Sequence, residues 1–210
     1  ALGYDRSIEH VRDKAVGREV WPHAPGVLAV DPHSGLVALG DHVAIDLGGI
    51  AKGWIADRIA TLLSLTAPAL VDAGGDISCT PRAGDQPWVV TVAGPGDGTC
   101  IELLAGGIAT SGVDRRRWID PTAAGSTISA LATDATRHHV VDPRTGDSAR
   151  TDLVRVTTVA GSCTTAEVAA TSMLVGGSAS LDELADAFGV AWLAEPIDPD
   201  HPVIRSEELR

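Results

Sequence analysis

A chain of 210 residues suits one domain or a closely fused pair, and 44% hydrophobic with 21% charged residues excludes a disordered polymer. The net charge of −12 excludes a basic nucleic-acid-binding face, and no uncharged stretch exceeds 14 residues (168–181), too short for a membrane span. A bound phosphate would therefore be held locally, by a metal ion, backbone N–H groups or a placed Lys or Arg; only two of the 16 basic residues are lysines, Lys14 and Lys52. Cys79, Cys100 and Cys163 have no metal-ligand spacing and cannot all pair with one another, so a disulfide framework is not expected, while a single bridge stays open. The start, Ala1-Leu2-Gly3-Tyr4-Asp5, lacks an initiator Met and a signal-peptide pattern, so the natural beginning is expected upstream.

In chain order, Ser7 to Arg18 reads as a short polar helix. Val27 to Asp31 and Leu36 to Leu39 read as strands around an Asp31-Pro32-His33-Ser34-Gly35 hairpin turn, and Val43 to Leu47 as a third strand ending at Gly48-Gly49. Ile50, Trp54, Ile55, Ile59, Leu62 and Leu63 recur at helical spacing, which predicts an amphipathic helix over Ile50 to Leu63. Ala69 to Val71 is a strand entering Asp72-Ala73-Gly74-Gly75-Asp76, a turn that could approach a ligand. Strands follow at Trp88 to Ala93, Cys100 to Leu104 and Gly107 to Thr110, the last leading into Ser111-Gly112. The Ala-, Ser-, Thr- and Gly-rich residues 120–136 read as a loop with one weak strand, and Arg115-Arg116-Arg117 as a solvated face. His138 to Val141 is a strand stopped by Asp142-Pro143-Arg144-Thr145-Gly146, and Leu153 to Val159 is β-branched. Thr165 to Val175 and Leu181 to Phe188 are helical, and Val190 to Ala194 is a final strand. Strands and helices mix without strict alternation, which favours an α+β fold in a single domain over residues 1–210.

Three segments could carry chemistry. In Asp46-Leu47-Gly48-Gly49-Ile50-Ala51-Lys52-Gly53 a strand gives way to a helix. Glycines there let backbone approach a ligand, and the free N–H groups of a helix start favour an anion. Asp46 could accept hydrogen bonds from a ring or ribose and Lys52 could reach a phosphate; a tight turn with a surface lysine is the alternative. In His138-His139-Val140-Val141-Asp142 imidazoles precede a turn, a position that suits proton transfer. For His138 an ordinary strand histidine is the simpler reading; for His139 the segment leaves both open. On the third helix, Glu167 and Thr171 are four apart and share a face, giving hard oxygen ligands suited to Mg²⁺. The alternative is a solvated Glu and a Thr bonded back to its own helix.

Together and in order, DLGGIAKGWIADR (46–58), ALVDAGGDI (69–77), GGIATSG (106–112), HHVVDPRTG (138–146) and AEVAATSMLVGG (166–177) resemble the ApbE family of FAD:protein FMN transferases. The opening ALGYD is similar to the family's Leu-Gly-Tyr segment. The resemblance implies an α+β, T-fold-related architecture of mixed sheets with packed helices, corresponding to the C-terminal part of the family's usual length. It implies Mg²⁺-dependent transfer of FMN from FAD to a Thr or Ser hydroxyl of an acceptor flavoprotein, with release of AMP. Water as the acceptor would make the same residues an FAD pyrophosphatase, and a non-catalytic flavin-binding homologue is the third reading. By position in the family motifs, Asp46, Lys52 and Asp76 would contact FAD. A backbone oxygen of Gly49 and side-chain oxygens of Glu167 and Thr171 would hold the metal, and His139 would act as base. The family usually has Asp where this chain has Glu167. One extra methylene moves the carboxylate by about 1.5 Å, so coordination is expected to need a different rotamer or an intervening water. The resemblance implies a bacterial protein, and many family members work outside the cytoplasm; the sequence leaves the compartment open, a periplasmic or membrane-associated place reached through a segment upstream of residue 1 being one option.

Overall fold

The computed structural model describes residues 28–41, 43–92, 98–119 and 136–209. The helix expected over Ser7 to Arg18 lies outside the described residues, as does the loop expected over 120–136 except for Thr136, which opens a strand. In chain order the first elements are β1 (Leu28–Asp31), β2 (Leu36–Leu39), α1 (Ala51–Leu63), β3 (Leu70–Asp72) and β4 (Ile77–Cys79). Next come β5 (Trp88–Val92), β6 (Thr99–Leu103), β7 (Gly106–Gly112), β8 (Arg117–Ile119) and β9 (Thr136–His138). The chain continues through β10 (Val141–Asp142), β11 (Asp147–Ser148), β12 (Leu153–Ala160), α2 (Cys163–Gly176), α3 (Leu181–Phe188), β13 (Ala191–Pro196) and β14 (Ile204–Arg205). This is the mixed α+β class read from the sequence. No helix among the described residues is long and apolar enough to cross a membrane.

The described elements fall into two compact units. The first comprises Ala1–Asp46 and Arg116–Ala149. In it β1 and β2 pair antiparallel around the expected turn, where the Asp31 carboxylate accepts the His33 N–H at 2.9 Å and Gly35 closes the turn at φ 69°. Val43 to Leu47 is not the expected third strand: the Val43 N–H turns back to the Gly40 carbonyl at 3.1 Å, and the segment joins no ladder among the described residues. The strand expected over His138 to Val141 is likewise interrupted. β9 pairs with β8 as far as His138, and a separate two-residue strand, β10, pairs with β11. Between β10 and β11 the Asp142 carboxylate accepts both the Arg144 N–H and its guanidinium, with Gly146 at φ 67°.

The second unit comprises Leu47–Arg115 and Arg150–Arg210. Its six-stranded sheet runs β14-β13-β12-β7-β4-β3, antiparallel throughout, with Thr158 opposite Ala109 and Ile77 opposite Ile108. α2 lies against β7 and β12, and both α1 and α3 pack on α2. Ile108, Leu153, Val156, Met173 and Leu174 are almost wholly removed from water and form the centre of this unit. The β5–β6 hairpin alternates, burying Val90, Val92, Ile101 and Leu103 beside Cys79 and Ile108.

The helix at 51–63 forms where the periodicity places it, but it buries the opposite face. Trp54, Ile55, Ile59 and Leu62 are 54%, 45%, 42% and 66% exposed, whereas Gly53, Ala56 and Ala60 are buried. The reason is steric. α1 meets α2 so closely that a Cβ on Gly53 would stand 2.6 Å from the Cys163 carbonyl oxygen, a distance only small residues tolerate. Gly107 of β7 meets the same helix end; its added Cβ would lie 2.2 Å from the Cys163 nitrogen. Gly107→Ala is therefore expected to lower stability by about 1–3 kcal/mol, since backbone on both sides must give. A urea denaturation midpoint equal to the wild type's would contradict this packing.

Candidate functional site

α2 begins at Ser162, whose hydroxyl oxygen accepts the Thr165 N–H at 3.1 Å. Its second turn carries Glu167, which is 3% exposed although its helix neighbours Ala166, Ala169 and Ala170 are apolar. A carboxylate in such surroundings needs partners. Oε2 accepts the backbone N–H of Gly53 at 2.8 Å. That N–H lies in the first turn of α1, which has no side-chain cap of its own and no acidic residue in its first turn. Glu167 thus supplies α1 with the anion that a helix start favours. In a regular helix the Gly53 N–H would bond the Gly49 carbonyl four residues back. Here that carbonyl accepts no hydrogen bond from the described residues.

Lys52 points to the same place. Its ammonium donates a hydrogen bond to Asp76, which is 2% exposed, and lies 3.1 Å from Glu167 Oε1. Oε1 is buried, and the ammonium is its ion-pair partner. Asp76 is presented by the turn after β3, where Gly74 and Gly75 adopt φ of 76° and 98° and the Gly75 N–H is accepted by the Asp72 carboxylate at 2.7 Å. Burial pushes the Asp76 carboxyl above the usual carboxylate range, against the pull of Lys52. Burial pulls Lys52 down, but Asp76 and Glu167 outweigh it and hold the ammonium protonated.

Thr171 lies one turn beyond Glu167. Its hydroxyl is bonded to the Ser111 hydroxyl of β7 at 2.7 Å instead of to its own helix. The structure therefore gathers Lys52, Asp76 and Glu167 in one cluster, with Thr171 on the Glu167 helix and exposed Gly49 in the turn ahead of α1. Asp46 and His139 belong to the first unit. Asp46 is exposed; His139 is half-buried and its N–H bonds the Arg116 carbonyl at 3.3 Å. His138 is the packed strand histidine: its Nε2 is 2.9 Å from the Ala149 carbonyl, and burial pushes its pKa down.

One residue escaped the sequence reading. Asp57, on the small-residue face of α1, accepts the Cys163 N–H at 2.9 Å and the Ser78 hydroxyl at 2.7 Å. Its other oxygen accepts the Thr164 N–H at 2.9 Å and the Thr164 hydroxyl at 2.6 Å. Burial pushes Asp57 up, but these donors outweigh it and hold the carboxyl below its ordinary range. Its four-residue spacing from Gly53 was the available signal, hidden because the large apolar residues mark the other face as buried. Burial, followed by the Asp76, Asp57 and Glu167 charges, pushes the Cys163 thiol up to about 12, so it stays a thiol.

The donor types are those a hard cation takes: Glu167 offers a carboxylate, Thr171 a hydroxyl and Gly49 a backbone carbonyl, and Mg²⁺ takes oxygen donors of this kind with water or phosphate in the other positions. No cluster of three His, Cys, Asp or Glu able to hold a metal occurs among the described residues, so this chemistry would rest on mixed oxygen donors. The Glu167 side chain reaches the Gly53 N–H across the helix pair.

This α+β chain, with a lysine and two buried carboxylates converging at a helix start, is similar in sequence and in fold to known proteins. The sequence profile of the ApbE family matches residues 7–193, and the chain belongs to that family. It is 32% identical over 200 residues to the FAD:protein FMN transferase of Treponema pallidum, covering 84% of this chain and 51% of that protein. The Salmonella typhimurium FAD:protein FMN transferase is 30% identical over 156 residues, covering 70% of this chain and 41% of the relative. The chain thus spans about half the length of these relatives. Among solved structures, the ApbE protein of Thermotoga maritima superposes with a TM-score of 0.67 at 30% identity, covering 86% of this chain and 57% of that one.

Lys52→Met leaves Asp76 and Glu167 facing each other without a counter-charge. The expected loss is about 1–3 kcal/mol at about pH 8, less than for a fully buried pair because the ammonium reaches solvent. Without Lys52 the Asp76 pKa rises further in the folded state, so the folded protein binds more protons than the unfolded one between the ordinary and raised values, and stability falls as pH rises through that window. The deficit of the variant should accordingly shrink towards about pH 4 in denaturation curves. A deficit independent of pH would contradict the cluster's electrostatics.

Proposed function

We propose that this chain carries the transfer of FMN from FAD to a Thr or Ser hydroxyl of an acceptor flavoprotein, with AMP as the second product. The observation that supports it is the buried Glu167: its Oε2 is tied to the start of α1, while Oε1 faces the partly exposed Lys52 ammonium. In the reaction the acceptor oxygen forms a bond to the FMN phosphorus, the bond from that phosphorus to the bridging oxygen breaks, and AMP leaves with that oxygen. Mg²⁺, when bound, would neutralise charge developing on the phosphate oxygens. Glu167, Thr171 and the Gly49 carbonyl are the residues assigned to hold it. Lys52 and Asp76 orient the nucleotide, with the Lys52 ammonium as a fixed positive charge against the diphosphate and Asp46 on the flavin nucleotide. His139 takes the proton of the attacking hydroxyl, a task suited to a neutral imidazole near pH 7.

Incubating the chain with FAD, Mg²⁺ and a polypeptide carrying the acceptor Thr or Ser should give a fluorescent, covalently flavinylated acceptor and an equal amount of AMP. Glu167→Gln, which keeps the shape but removes the charge, should lower the rate about 100-fold. AMP formed without flavinylated acceptor would assign water as the acceptor in place of protein. No AMP at all would overturn the enzymatic reading.

A further inference from the structure

The two helices of the cluster cap one another. α1 receives the Glu167 carboxylate at its Gly53 N–H, and α2 receives the Asp57 carboxylate at its Cys163 and Thr164 N–H groups. Asp57 is not a routine cap, because α2 already has a local one in Ser162. Its two oxygens accept four hydrogen bonds, from two backbone N–H groups and from the Ser78 and Thr164 hydroxyls, which fills a carboxylate's acceptor capacity. It thereby fixes α1, the β4 residue Ser78 and the first turn of α2 at one point. Glu167 lies one turn into α2 from Cys163, so its distance to Gly53 and Lys52 is set by where that first turn is held.

We propose that Asp57 is a positioning residue for Glu167: it touches no substrate and acts by holding the N-terminus of α2 on α1, so that Glu167 reaches the Gly53 N–H and presents Oε1 towards Lys52. The consequence for cation binding rests on the function proposed above; the positioning itself does not. Ser162 provides the control. Ser162→Ala removes a cap from the same helix end but not the tie to α1, so it lowers stability without releasing Glu167.

The test is amide hydrogen exchange, residue by residue, on the full chain without ligand. The Gly53 N–H has Glu167 as its acceptor, so its exchange rate reports that contact directly. Asp57→Asn should raise Gly53 exchange about 10-fold, with the Ile59 and Ala60 amides inside α1 unchanged. Ser162→Ala should leave Gly53 at the wild-type rate while lowering the melting temperature. Thr164→Val, which removes only the hydroxyl donor, should move Gly53 in the same direction by about 3-fold and serves where Asp57→Asn does not fold. Unchanged Gly53 exchange in Asp57→Asn (or, where that variant does not fold, in Thr164→Val), or an equal rise in Ser162→Ala, would overturn the proposal. Mn²⁺ affinity measured on the same proteins should fall about 10-fold in Asp57→Asn and not in Ser162→Ala. Faster Gly53 exchange with no change in Mn²⁺ affinity would uphold the positioning role and overturn the assignment of Glu167 to the cation.

Discussion

The arrangement of the second unit depends on one constraint: α1 and α2 start side by side, close enough for each to terminate the other. Helix starts leave N–H groups without partners, and burying them costs free energy unless an acceptor arrives. Gly53 lets α1 come against the Cys163 carbonyl, and at that separation Glu167 and Asp57 reach across in opposite directions. A larger residue at position 53 would push the helices apart and leave both carboxylates short of their donors. The glycine and the two acids therefore form one device, built from segments more than a hundred residues apart.

The same device accounts for the charge gathered at this place, beside the buried Ala166, Ala169 and Ala170 of α2. Two carboxylates, Glu167 and Asp76, are almost fully buried, and a single ammonium serves both. Such a cluster is a costly way to stabilise a fold, since apolar residues of similar size would usually do as well. The function proposed above gives the cluster another task, since a carboxylate, a hydroxyl and a backbone carbonyl are oxygen donors chemically suited to a hard cation next to a diphosphate.

Local chemistry was legible in the sequence, and choices made between distant segments were not. The Asp31 to Gly35 turn and the helix at Leu181 to Phe188 follow from side-chain bonds and spacing within a few residues, and both stand where the sequence places them. The order of the five motifs carried the family. The buried face of α1 was misread because apolar periodicity rewards large residues, whereas here the deciding term is how closely two backbones approach, which favours Gly53, Ala56 and Ala60. Asp57 was lost with that face. Val43 to Leu47 reads as a strand by composition, yet a strand needs a partner edge, and no local signal shows whether one is present. Glu167 and Thr171 were found as a pair at helical spacing; that Glu167 is buried, and that Thr171 bonds Ser111 and not its own helix, are facts of tertiary packing.

Whether Glu167, Thr171 and the Gly49 carbonyl bind a divalent cation next to a nucleotide, as proposed, is decided by anomalous scattering from crystals grown with Mn²⁺ and ADP. One strong manganese peak is expected about 2.0–2.4 Å from a Glu167 oxygen, with the Thr171 hydroxyl and the Gly49 carbonyl in the same coordination sphere and a phosphate oxygen completing it. Nucleotide density accompanied by a manganese peak remote from Glu167, or by none, would contradict it.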